Sequence, residues 1–161
     1  MALGTGLLAS SGYILKNVFL PSQITSREVK TLEAFLDTLI PSDETPGAIE
    51  LGVAERIRLL ADQDYRYKRL LKSGCVWLDN KASERAADTF SSLDPAKRED
   101  IVREASGSGR ESLPRTFFER VRSDSFTHYY AQPETWKSLG YKGPPQPDGF
   151  PDYADFPHPR T

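Results

Sequence analysis

The placement of proline constrains this chain more than any other feature. A proline inside a helix removes a hydrogen bond and clashes with the preceding turn, so helices lie between prolines or begin on them. Six of the twelve prolines fall between Pro144 and Pro159. The stretch from Pro46 to Pro95 contains none, and the sequence there repeats apolar residues at three- and four-residue spacings. A helical body followed by an extended tail is the organisation this pattern predicts.

The body can be read element by element. Thr25-Ser26-Arg27-Glu28 fits a capping box, in which the threonine hydroxyl and the glutamate carboxylate each accept the other residue's amide proton. Val29, Leu32, Leu36 and Leu39 follow at helical spacing, widened by Phe35 and Ile40, and the helix stops before Pro41. Pro41 to Gly47 is a turn-rich loop. Ala48 to Leu51 reads as one helical turn closed by Gly52. Val53 to Leu60 forms a helix with Val53, Ile57 and Leu60 on one face. Asp64 to about Arg85 is a longer helix carrying Tyr67, Leu70, Leu71, Cys75 and Leu78, with Gly74 inside it at a cost of about 1 kcal/mol. Asp94-Pro95 is an N-cap followed by proline at the first helical position, and that helix stops near Ser106-Gly107-Ser108-Gly109. A last helix begins after Ser112 or Leu113 and is lined by Phe117, Phe118, Val121, Phe126, Tyr129 and Tyr130. No segment alternates with period two for long enough to be a strand. The fold class is all-α, about five helices in a small bundle with an extended Pro/Gly/aromatic-rich C-terminal arm. Residues 25–139 form the helical domain and 140–161 the arm.

The first 24 residues read differently. Met1 to Leu15 has no charged side chain. It matches the apolar region of an export signal, which needs about 7 to 15 residues, and is too short for a membrane span of roughly 20. The alternative is an apolar N-terminal arm in which Leu7, Leu8, Ile14 and Leu15 pack on the core.

Residues suited to chemistry are few. One Cys excludes an intramolecular disulfide framework. Two His residues, His128 and His158, leave little for a metal site. With 21 basic and 23 acidic residues the formal charge is -2, which argues against nucleic acid as a partner. No glycine-rich dinucleotide turn, P-loop or nucleophile elbow occurs. Cys75 reads as a small core residue and His128 as a half-buried, hydrogen-bonded one, four residues after Asp124. Catalytic, cofactor-binding and metal residues are therefore expected to be absent, and a role in holding a partner is expected instead. Trp77, Phe117, Phe118, Phe126 and Trp136 exceed what five short helices need, which points to an interface and to an isolated subunit prone to aggregation.

Several segments together resemble the gluconate 2-dehydrogenase subunit 3 family. They are Leu36-Asp37-Thr38-Leu39-Ile40-Pro41 with Asp43-Glu44-Thr45-Pro46-Gly47-Ala48 and Gly52-Val53, and then Phe90, Leu93 and Pro95. Next come Phe117-Phe118, His128-Tyr129-Tyr130 and Pro133-Glu134-Thr135-Trp136, followed by Leu139 to Pro147 and by Gly149-Phe150-Pro151-Asp152-Tyr153. The resemblance implies a noncatalytic small subunit of a periplasmic flavin-dependent sugar dehydrogenase, of the kind that oxidises gluconate, fructose or a glucoside. It implies no cofactor in this chain, FAD in a catalytic partner of the glucose-methanol-choline type, a cytochrome c accepting electrons, and membrane association only through partners. Assembly, stability and twin-arginine export of the catalytic subunit are the implied roles, although the twin arginines are not in this sequence. Two alternatives stay open: an export chaperone not retained in the complex, and a free-standing metal-dependent enzyme using His128. Partner-binding residues are expected in the arm and just before it: Trp136, Tyr141, Pro144, Pro145, Phe150 and Tyr153, with prolines holding an extended shape and aromatics as anchors.

Overall fold

A computed structural model describes residues 23–143. The N-terminal segment and the arm beyond Gly143 lie outside the described residues. Among those described there are six α-helices and a 3-10 turn, and no strand. They run α1 (Ser26–Leu39), α2 (Val53–Gln63), α3 (Tyr65–Ser83), the 3-10 turn Phe90–Ser92, α4 (Pro95–Gly107), α5 (Leu113–Tyr130) and α6 (Pro133–Trp136). The five long helices are those expected, with ends within a few residues of the expected ones. The short α6 was not expected. Its signal is Pro133 at the first helical position after Gln132.

The caps act as the sequence chemistry requires. The Thr25 amide donates to Glu28 Oε2 at 2.7 Å, and the Glu28 amide donates to Thr25 Oγ1 at 3.3 Å. Asp64 accepts the amides of Arg66 and Tyr67 at the head of α3, and Asp94 accepts that of Lys97 at the head of α4. Gly52 precedes α2 with φ of 66°, a left-handed conformation that suits glycine. It closes the hydrogen-bonded turn at residues 48–52, as read from the sequence.

α1 packs against α2, α3 and α4, and α5 against the same three helices. Between α1 and α5 the contact runs through aromatic rings. Phe35 meets Phe117 at 4.9 Å between centroids and Phe118 edge-on at 6.5 Å. Leu32, Leu36, Ile57, Leu71, Leu78, Phe90, Ile101 and Val121 complete a core without solvent exposure of any consequence. Phe117 and Phe118 are therefore core residues, not part of an aromatic surplus. Trp77 and Phe126 are half-buried. The expected excess of exposed aromatics is smaller than composition implied, because the two phenylalanines bridge helices whose backbones stay apart.

Gly74 explains how Phe117 fits. A Cβ at position 74 would run into the Phe117 ring. The glycine in the middle of α3 lets α5 lay an aromatic ring directly on helix backbone.

A polar layer joins α1 to α3. The Asp79 carboxylate accepts from Arg27 Nε at 2.6 Å, from the Thr31 hydroxyl at 2.9 Å and from the Phe90 amide at 3.0 Å. Thr31 is fully buried, so its hydroxyl needs this partner. About two turns before Asp79 on α3, Lys72 Nζ donates to Glu28 Oε2 at 3.1 Å and to the Gln23 carbonyl at 3.0 Å. Burial pulls the Glu28 pKa upward. The hydrogen bonds from Thr25 and Lys72 outweigh that, and the carboxyl sits below its ordinary range.

Gly74→Ala should lower stability by about 1–2 kcal/mol, because overpacking against Phe117 exceeds the gain in helix propensity. Thermal unfolding measures it. Gly107→Ala is the control, since a Cβ there meets nothing within 4 Å and the melting point should hold or rise slightly.

The Glu28 contribution carries a sign in pH. Its folded pKa lies below the unfolded value, so the stabilisation is complete above the ordinary carboxylate range and is lost as pH falls through the folded pKa. Denaturant titrations between about pH 6 and pH 3 should show that fall, and Glu28→Gln should remove its share of the slope.

Candidate functional site

The turn-rich loop and the last helices meet at one end of the bundle. The loop's sequence bends it tightly on itself. Asp43 accepts the Thr45 amide at 2.8 Å and the Thr45 hydroxyl at 3.0 Å, an Asx turn of the kind aspartate favours. These bonds hold the exposed Asp43 carboxyl below its usual pKa. The Ala48 amide donates to the Ile40 carbonyl at 3.0 Å. At Gly47 the backbone passes so close that a Cβ would lie 2.7 Å from the Ser42 nitrogen. The Ser42 hydroxyl donates to Glu50 Oε1 across the neck of the loop at 2.8 Å.

α5 pins this loop from the side. The buried Tyr129 donates its phenol proton to the Pro46 carbonyl at 2.9 Å, and the Thr45 hydroxyl lies 3.5 Å from the Tyr129 phenol oxygen. Pro46 has no N–H, but its carbonyl needs a donor once covered. Gln132 Nε2 reaches the Leu51 carbonyl at 3.4 Å. Segments some 80 residues apart in sequence thus build one surface.

The chain then folds back on the end of α5. Trp136 Nε1 donates to the Tyr130 carbonyl at 2.8 Å, and the Tyr141 amide donates to the Trp136 carbonyl at 3.0 Å. The Tyr141 ring meets Trp136 edge-on at 5.3 Å. Gly140 turns the backbone with φ of 67°, and Gly143, at φ of 103°, approaches the Trp136 ring. Tyr130 remains 48% exposed, Leu139 60% and Tyr141 50%. Tyr130 and Leu139, with Asp43, Glu44, Thr45 and Ser138, rim a shallow depression over Tyr129. The result is an apolar, aromatic face at the loop end of the bundle.

Two expected partner-binding residues, Trp136 and Tyr141, are brought together here. Trp136 is half-buried and serves this chain's own fold, while Tyr141 projects from it. The other four, Pro144, Pro145, Phe150 and Tyr153, lie outside the described residues. Leu139 and Tyr130 were not singled out as anchors. Gly140 turns the chain so that its neighbours Leu139 and Tyr141 are both exposed, whereas nothing in the sequence marks Tyr130 as exposed.

The residues considered for chemistry lie elsewhere or apart. Cys75 is buried in the core, and burial pushes its thiol pKa well up. His128 is half-buried as expected, but no hydrogen bond to it forms among the described residues. Asp124, four residues before it, instead accepts from Arg120 Nε at 2.8 Å. Arg120 also lies over the Tyr67 ring at 4.4 Å. Tyr67 is buried against this pair, and burial, with the Asp124 carboxylate nearby, keeps its phenol protonated. Among the described residues no three of His, Cys, Asp and Glu gather as a metal ion needs. No described helix is long and apolar enough to cross a membrane.

The model of the family described as gluconate 2-dehydrogenase subunit 3 matches residues 26–143. The chain belongs to that family. The match begins at the first residue of α1 and takes in every described helix, both sides of the pinned loop and the fold-back to Gly143. The stretch Gly149 to Tyr153, counted above in the resemblance, lies beyond it. No curated protein and no solved structure matches the chain. Membership makes the chain a subunit of a dehydrogenase complex.

Tyr129→Phe should loosen the loop without unfolding the bundle. It leaves the Pro46 carbonyl without its donor, at a cost of about 1–2 kcal/mol. Denaturant unfolding measures the loss, and hydrogen exchange at the Ala48 amide should quicken more than at core amides of α3.

Proposed function

We propose that this chain is the noncatalytic small subunit of a flavin-dependent sugar dehydrogenase. Its partner carries FAD in a glucose-methanol-choline oxidoreductase fold, and a cytochrome c takes the electrons onward. The small subunit supports assembly, stability and export of that partner, and the complex works in the periplasm, meeting the membrane only through other subunits. The sugar and the oxidised carbon are choices of the partner's active site.

The observation that carries this reading is the aromatic face within the family match. Tyr130, Leu139 and Tyr141 are exposed together on a rigid support of hydrogen-bonded loop and helix ends. Aromatic side chains held in place lose little freedom on binding and dominate interface energetics. Beyond Gly143 the sequence carries Pro144, Pro145, Phe150 and Tyr153, apolar and aromatic residues of the same kind. Among the described residues no cluster of reactive groups competes with this face as the functional centre.

Co-expression with a flavoprotein of the glucose-methanol-choline type from the same source tests the proposal. The wild-type chain should co-purify with a yellow partner in fixed stoichiometry. Leu139→Asp/Tyr141→Asp should keep its helical circular dichroism yet capture the flavoprotein at least tenfold less, since each substitution places a charge in a desolvated contact. Equal capture by the variant, or stoichiometric flavin in the chain purified alone, would sink the reading.

A further inference from the structure

A second apolar surface lies away from the aromatic face. Val76, Trp77 and Leu113 line a groove between α3 and the head of α5, about 360 Å³ in volume, with Glu28, Lys72 and Asn80 on its margins. Val76 is 53% exposed and Leu113 40%, unusual for aliphatic side chains placed side by side. α5 spans 18 residues, about 27 Å of helix. The groove sits at its first residues and the aromatic face at its last, so one does not extend the other.

The described chain starts beside this groove. Lys72, which lines it, also holds the Gln23 carbonyl at 3.0 Å. The residues immediately before are Val18-Phe19-Leu20-Pro21-Ser22. Each extended residue spans about 3.5 Å, so Leu20 lies within roughly 10 Å of Gln23 and Phe19 within roughly 14 Å. Pro21 restricts the backbone before it to extended forms. The run Val18 to Leu20 is uncharged and aliphatic-aromatic, matching the groove's floor.

We propose that Val18-Phe19-Leu20 docks in this chain's own α3/α5 groove, with Phe19 and Leu20 covering Val76, Trp77 and Leu113. Lys72 sets the register by holding the Gln23 carbonyl at the groove's edge. The segment is tethered, so it meets the groove at high effective concentration and needs little intrinsic affinity. This docking is independent of the partner proposed for the aromatic face.

Limited trypsin digestion of the full chain tests it, following the Lys16–Asn17 bond by mass spectrometry. A protease needs several extended residues on each side of the cut, and docking of Val18 to Leu20 withholds them. Wild type should lose that bond at least fivefold more slowly than either Val76→Asp or Phe19→Ser/Leu20→Ser. Val76 is already exposed and residues 19 and 20 precede the first helix cap, so both variants should retain helical circular dichroism. Equal cleavage rates in all three chains would overturn the proposal. So would protection that vanishes on dilution while sedimentation reports a dimer, which assigns the groove to a second copy. Protection appearing only when a catalytic partner is bound would overturn it as well.

Discussion

Phe117 packs against the backbone of α3 because position 74 has no side chain, and the same ring reaches Phe35 on α1. Three helices share this contact. α1 and α5 are held together through rings rather than by close backbone approach, so the distance between them is set by aromatic dimensions. Everything downstream depends on where α5 lies. Its last turn carries Tyr129 to the Pro46 carbonyl, and its first residue, Leu113, forms a wall of the α3/α5 groove. A shift of α5 would move both ends of the molecule's outward-facing apolar surface.

The polar layer supplies what ring packing lacks, which is direction. Aromatic contacts tolerate sliding, whereas Asp79 on α3 accepts from two donors on α1 and one on the 3-10 turn and fixes the three elements in one register. A buried threonine hydroxyl without Asp79 would be an unpaired donor costing about 1–3 kcal/mol. Arg98 adds a second polar tie, donating to Asp37 at 3.0 Å and to the Ala34 carbonyl at 3.2 Å across α1 and α4. Surface pairs such as Arg103 with Glu99 are exposed on both sides and add little.

Local signals carried most of the helix assignment. The Thr25–Glu28 box, Asp64, Asp94-Pro95 and Ser112 are each caps whose partners lie within four residues, so the linear sequence contains the whole interaction. Gly74 could be read only as a cost, because its reason, Phe117, is 43 residues away (117 minus 74). The same distance hid the role of Phe117 and Phe118 in the core. Asp79 showed no sign of being a junction, since its donors come from residues 27, 31 and 90. Half of the aromatic face was legible: Trp136 and Tyr141 stood out by type and by the glycines around them. Leu139 and Tyr130 did not, because exposure of an ordinary apolar residue is decided by how the chain turns. His128 illustrates the reverse error. Its expected neighbour on the same helix, Asp124, is drawn to the stronger partner Arg120, a choice made by charge and geometry that spacing alone does not reveal.

The pinned loop has one further consequence. Tyr129 and Gln132 grip backbone carbonyls of Pro46 and Leu51, so the aromatic face is assembled only when residues some 80 positions apart have come together. An unfolded or half-folded chain does not possess it. Any molecule that binds this face thereby selects the folded chain and stabilises it by mass action, in proportion to the logarithm of its concentration over its dissociation constant. For a partner bound there, folding and assembly would be thermodynamically linked through two hydrogen bonds to main-chain oxygen.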